Sequence, residues 1–259
     1  MISEYGDSYI VFLFALTRIS GAFLFNPLLS KRSVPATVKI GLAIVIAIGI
    51  FPTMKNAEPE ITSYLHFIVI ILKELLVGFG IGMIMQMFMS IAMIAGESID
   101  IQLGIGMGRI YDPQSNVSMA LTGSVYNILF TLIFFASNGH LTLIKIITQS
   151  CLLFPLGNDF FNFSFGSYLV LLFGDILILA LKLAIPVIAI ELLAESGLGV
   201  LMRIVPHINV FAVGLQVKLA VGLGIIILTI PLTSRVLDTS ITLMFERIEE
   251  GVSKMLSSS

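Results

Sequence analysis

Seven apolar runs, at about 9–30, 38–54, 64–95, 117–137, 140–156, 167–193 and 208–232, take up most of the chain, and each is long enough to cross a bilayer or nearly so. Helix breakers stand at or near their edges: Pro27, Pro35, Pro52, Pro59, Pro113, Pro155, Pro206 and Pro231. Pro186 alone lies well inside a run, where it predicts a kink. This pattern predicts an all-α fold: an integral membrane protein of kinked helical hairpins, forming one helical domain over 1–259 with no soluble insertion. Composition agrees. Hydrophobic residues make up 57% and charged ones 12%, with a mean hydropathy of +1.05, whereas soluble domains carry about a quarter charged residues. The net charge of −2 leaves no basic footprint, so nucleic acid is not an expected partner. A single cysteine, Cys151, excludes an intramolecular disulfide and reads as a buried structural thiol. Glu4 and Asp7 precede the first run, where a signal peptide would place basic residues, so the chain reads as mature from Met1.

If the N-terminus is outside and seven segments cross, Lys31, Arg32, Lys39, Arg109, Arg235, Arg247 and Lys254 fall on the inside, with Lys55 and Arg203 outside. The C-terminus is then cytoplasmic. Arg18, Lys73, Lys145, Lys182 and Lys218 lie within runs, as do Glu74, Asp175 and Glu191. A charge at the bilayer centre costs about 2.5–3.5 kcal/mol even on the lenient scale, so such side chains should face protein or water. Lys145 and Lys218 are near enough to segment ends to snorkel. Buried polar contacts are therefore expected at Arg18, Lys73, Glu74, Asp175, Lys182, Glu191 and Glu195. Asp175 and Lys182 share a helical face, and Glu191 and Glu195 lie one turn apart with like charge, which calls for a cation or water between them. Gly78, Gly80, Gly82, Gly222 and Gly224 weaken their helices, an arrangement that suits packing against protein more than lipid.

Between the third and fourth runs stands Gly96 to Asn116, GESIDIQLGIGMGRIYDPQSN, polar, rich in glycine and closed by Asp112-Pro113. These features predict an irregular loop at about 96–116, with GESID as a helix end, and irregular backbone at membrane depth survives only under a cover of protein or in a watery cavity. It is the expected seat of function. On the preceding run Met83, Met85, Met87, Met89 and Met93 form a flexible, polarizable cluster that serves either as a deformable seal or as plain packing.

No enzymatic site assembles. His66, His140 and His207 are scattered and lack metal-ligand spacing. GESID departs from a nucleophile elbow at Asp100, and neither a dinucleotide fingerprint nor a phosphate loop is present. No catalytic residue, cofactor or metal is expected.

Short signatures in a fixed order carry a resemblance: RISGAFLFNPLLS from Arg18, VPATVKIGLA from Val34, KELLVGFGIG from Lys73, AGESIDIQLG from Ala95, NGHLTLI from Asn138 and RIVPHINVFAVG from Arg203. Together they run from Arg18 to Pro231, and the chain resembles the FliR family of flagellar export-gate membrane proteins, with its counterpart, the T component of virulence type III secretion. NGHL and the loop from Ala95 to Pro113 are more similar to the flagellar branch. His207 stands where the family often has glutamine, and Gln216 where it often has proline. The resemblance implies a subunit of the protein export gate in the bacterial inner membrane, at the flagellar basal body. One such subunit would join P-type and Q-type gate subunits, meet the export switch protein, and help to form a channel for unfolded polypeptides, held partly by partners instead of lipid. It also implies that a loop plugs the closed pore, and the matching residues here are Gly104, Ile105, Gly106, Met107, Gly108, Arg109, Ile110, Tyr111, Asp112 and Pro113, within 104–116. The rival readings are a secondary transporter with a midplane site around Asp175, Lys182, Glu191 and Glu195, an assembly factor on which partner subunits nucleate, and the virulence counterpart.

Overall fold

The computed structural model describes residues 2–28, 35–54, 61, 63–105, 120–153, 156–157, 162, 164–204 and 210–256. Their regular structure is helical throughout: α1 (Ile2–Leu24), α2 (Ala36–Ile50) with a 3₁₀ turn at Phe51–Met54, α3 (Tyr64–Leu103), α4 (Leu121–Ala136), α5 (Gly139–Leu153), α6 (Ser164–Ile204) and α7 (Val210–Leu256). The local reasons are legible. Pro35, at φ −57° and ψ 144°, sits at the N-cap of α2, and its carbonyl accepts the amides of Val38 and Lys39. Asn138 takes φ 57°, a left-handed conformation that asparagine tolerates, and this breaks the chain between α4 and α5. Its carbonyl then starts α5 by accepting the amides of Leu141 and Thr142.

Two proline positions differ in outcome. α6 runs through Pro186 and α7 through Pro231, so Pro231 is not the edge that the end of the last apolar run suggests. α7 continues to Leu256 because Leu237, Ile241, Met244, Ile248, Val252 and Met255 recur at intervals of three and four and are all buried. That stretch is too polar to register as a run but is amphipathic. Among the described residues, four helical stretches are long and apolar enough to cross a membrane, Ala36–Met54, Tyr64–Leu103, Ser164–Leu201 and Gln216–Met255. There are five if the broken pair Leu121–Ala136 and Gly139–Leu152 counts as one span, against the seven crossings expected.

The chain gathers into two compact units: 1–88 with 137–173 and 241–259, and 89–136 with 174–240. The core of the first is a buried ion pair. Arg18 on α1, 1% exposed, donates from Nε to Glu74 Oε2 of α3 at 2.6 Å and from Nη1 to the Ser150 carbonyl of α5 at 2.5 Å. The other oxygen of Glu74 accepts the Gly157 amide at 3.1 Å. One turn along, α1 and α3 touch backbone to backbone: a Cβ on Gly78 would lie 2.1 Å from the Arg18 carbonyl oxygen, and one on Gly21 2.8 Å from that of Leu75. Gly80 faces Met255 and Gly82 faces Phe25, so these glycines pack on their own chain. The end of α7 is fixed to the start of α6, where Tyr168 donates to the Arg247 carbonyl at 2.8 Å and Lys254 Nζ lies 4.5 Å from the Tyr168 ring centroid.

Removing one member of a buried ion pair leaves an uncompensated charge, which costs about 3–5 kcal/mol, whereas an apolar replacement of both members is often neutral. Arg18→Met should therefore lower the thermal unfolding midpoint of the detergent-solubilised protein markedly. Arg18→Met with Glu74→Leu should recover most of the loss.

Candidate functional site

In the second unit, α3 does not stop at Gly96. It runs on through GESIDIQL to Leu103, which corrects the expected loop of 96–116 and the reading of GESID as a helix end. The propensity cost of a helical glycine, about 1 kcal/mol, is outweighed by what Gly96 allows. A Cβ there would fall 2.1 Å from the Gly123 amide nitrogen and 2.2 Å from its Cα, so α3 and α4 cross with their backbones in contact. Ser98 stays in the helix by donating to the Ile94 carbonyl at 2.8 Å.

The helix ends in a Schellman motif. Gly104, at φ 75°, donates its amide to the Ile101 carbonyl, and Ile105 donates to that of Asp100, both at 3.1 Å. Of the ten expected plug residues, Gly104 and Ile105 are thus placed at the helix end. Gly106, Met107, Gly108, Arg109, Ile110, Tyr111, Asp112 and Pro113 lie outside the described residues.

The segment returns at α4. Ala120 is in the N-cap position, since its carbonyl accepts the Ser124 amide at 2.8 Å, and its methyl group cannot cap the helix. The acceptor comes from α3 instead. Both Asp100 carboxylate oxygens lie 3.2 Å from the Thr122 amide, and Oδ1 accepts the Thr122 hydroxyl at 2.5 Å. Asp100 is 2% and Thr122 3% exposed. An anionic carboxylate against the first turn of α4 also complements the helix dipole.

A second polar group surrounds the last turn of α3. Gln102 donates to Glu195 of α6 at 3.2 Å, and Lys218 of α7 pairs with the same carboxylate at 3.2 Å. Lys218 is therefore the cation that the like charges of Glu191 and Glu195 require. Glu191 is buried, and neither of its carboxylate oxygens accepts a hydrogen bond from a described residue.

Of the polar contacts expected, Arg18, Glu74 and Glu191 are buried and Lys73 is half-buried. Asp175, Lys182 and Glu195 lie on exposed faces of α6, and Glu195 meets Gln102 and Lys218 there. In the methionine cluster Met85 and Met89, one turn apart, are buried, while Met83, Met87 and Met93 are half-buried. Sequence reasoning missed the pairing of Asp100 with Thr122 and the contact of Gly96 with Gly123. Its signal was present: a helix opening on Ala120 without a capping side chain needs an acceptor from elsewhere.

Known proteins are similar to this sequence over most of its length. The sequence model of bacterial export proteins, family 1, matches residues 9–244. The chain is similar to the flagellar biosynthetic protein FliR of Bacillus subtilis (strain 168), 33% identical over 83% of this chain and 84% of that protein. It is 27% identical to FliR of Escherichia coli (strain K12), over 95% and 94%, and 28% identical to the surface presentation of antigens protein SpaR of Shigella flexneri, over 87% and 88%.

Gly96→Ala should force α3 and α4 apart and lower stability by about 1–3 kcal/mol, the usual cost of overpacking. Gly174→Ala, where nothing lies within 4 Å of the added methyl, should be neutral or slightly stabilising; thermal melts of the two variants side by side check the contrast.

Proposed function

Because the chain belongs to the bacterial export proteins, family 1, we propose that it is a subunit of the flagellar type III protein export gate, in the inner membrane at the basal body. It forms part of the channel through which unfolded flagellar polypeptides leave, without catalysis and without a cofactor. The observation that carries this reading is the family match across residues 9–244. The name FliR on the relatives at 33% and 27% identity supports the flagellar system.

Physical features support a subunit held by partners. At 1.5 Å per residue, α3, α6 and α7 are each about 60–70 Å long, roughly twice the ~30 Å hydrocarbon core. Lipid alone cannot cover such helices. P-type and Q-type gate subunits cover the remainder in this reading, and the export switch protein joins them.

Segment 104–116 is the plug of the closed pore. Its glycines allow displacement, Ile105, Met107 and Ile110 form an apolar stopper, and Arg109 and Tyr111 pin it by polar contacts. Opening is a movement of this loop. In this reading the flexible methionines at 83, 85, 87, 89 and 93 serve as a compliant seal.

Deleting residues 106–112, which spares the helix end at Gly104 and Ile105, should make cells leak ions through the assembled gate. An unchanged membrane conductance would count against the plug. Gentle purification of the tagged chain should bring two small helical membrane proteins with it, whereas a monodisperse protein without partners would favour a transporter.

A further inference from the structure

We infer that Glu191 and Glu195 form a proton-binding site served by one lysine: the two carboxyl groups share a single proton and Lys218 between them, and the proton resides on the buried Glu191 while Lys218 pairs with Glu195.

The buried face of α6 runs through Ile176, Ala180, Ala184 and Val187 at intervals of four and three, and Glu191 stands where the next apolar residue is due. It is 1% exposed, and neither of its oxygens accepts a hydrogen bond from a described residue. One turn on, Glu195 has both oxygens met: Oε1 lies 3.2 Å from Lys218 Nζ, and Oε2 accepts from Gln102 Nε2 at 3.2 Å. A carboxylate gathers donors, and an ion stripped of both water and donors is heavily penalised. The asymmetry therefore assigns the negative charge to Glu195 and leaves Glu191 as the neutral acid. Charge counting agrees. Among the described residues Lys218 and Glu195 are the charges that act on Glu191. Two carboxylates against one ammonium would leave one negative charge uncompensated, and a single proton brings the group to neutrality. A proton is also the occupant that fits. Among the described residues no three metal-ligating side chains gather, the ammonium repels a metal ion, and so buried a position admits no side chain from outside.

The site exchanges with water through its exposed member. The side chain of Lys218 is 18% exposed and that of Glu195 52%. When Lys218 turns from Glu195 to Glu191, the proton passes from the Glu191 carboxyl to the Glu195 carboxylate. One O–H bond breaks, one forms, and the net charge of the group is unchanged, so the proton belongs to the pair and not to either residue. Gln102 serves both states, since its amide donates to a carboxylate and its carbonyl accepts from an acid.

The test uses the purified full-length chain with whatever partners accompany it, read by infrared spectroscopy at neutral pH, where the C=O stretch of a protonated carboxyl stands apart from the bands of a carboxylate. Glu191→Gln should remove one protonated-carboxyl band. Glu195→Gln should remove the same band although Glu191 is untouched, because Lys218, freed of its partner, turns to Glu191 and sends its proton to solvent. Glu195→Gln with Lys218→Met should restore the band, since no cation is left to hold a charge there. A merely structural glutamate would show no such coupling between the three positions. A spectrum of Glu191→Gln that keeps every protonated-carboxyl band, or a band that survives in Glu195→Gln, overturns the shared proton. Should Glu191→Gln fail to fold, the other two variants decide, because neither alters Glu191: a band lost in the single variant and regained in the double supports the site, and any other pattern overturns it.

Discussion

Arg18 sits where water is excluded, and every donor it uses must be met by the chain. Nε meets Glu74, Nη1 meets the Ser150 carbonyl, and the second oxygen of Glu74 meets the Gly157 amide. An isolated ion in such a place would cost many kcal/mol, so a shift of α1, α3 or α5 by a single residue is heavily penalised. The network sets register, which a purely apolar contact between these smooth helices would leave loosely specified. It works because Gly21 and Gly78 let the two backbones meet. With a side chain at Gly78 the guanidinium would stand too far from the carboxylate to pair at 2.6 Å.

The same arrangement recurs at the other end of α3. Glu74 and Gly78 stand four residues apart, as do Gly96 and Asp100, so in both places an acid and a glycine share one face of the helix. The glycine brings a neighbouring backbone into contact, and the acid takes donors that the contact would otherwise strand. The two places differ in what is held. Glu74 neutralises a side-chain charge, whereas Asp100 terminates a helix that has no cap of its own. Each contact thus holds its own part of the 40-residue α3 against a neighbouring helix.

The sequence was readable wherever one signal dominated. Apolar runs with prolines at their edges located the seven α-helices of the described residues, and the ordered signatures from Arg18 to Pro231 pointed to the family that the match over 9–244 establishes. Reading failed where tertiary contact overrode local preference. Gly96 looked like a breaker because its propensity is poor, but propensity cannot register a neighbouring glycine 27 positions later, at Gly123, that rewards its lack of a side chain. Asp100 looked like a failed catalytic motif because its partner, Thr122, lies across the loop. The end of α7 was missed for a different reason: a stripe of six buried apolar residues on a polar helix is invisible to a scan for apolar runs.

One face of α6 bears on what surrounds the subunit. Leu171, Asp175, Ile178, Lys182 and Ile185 recur at intervals of four and three, so they form a single stripe, and all are exposed on the chain. Lipid suits the three apolar residues but not the two charged ones, each of which costs about 2.5–3.5 kcal/mol in hydrocarbon. Water suits the charges but not the aliphatic side chains between them. A helix with matching apolar and polar positions suits both, because it buries the aliphatic residues and meets the charged ones with polar groups. The stripe therefore argues against α6 as a simple lipid-facing span and for a neighbouring subunit, as the proposed assembly requires, on the element whose Glu195 also holds the last turn before the loop through Gln102.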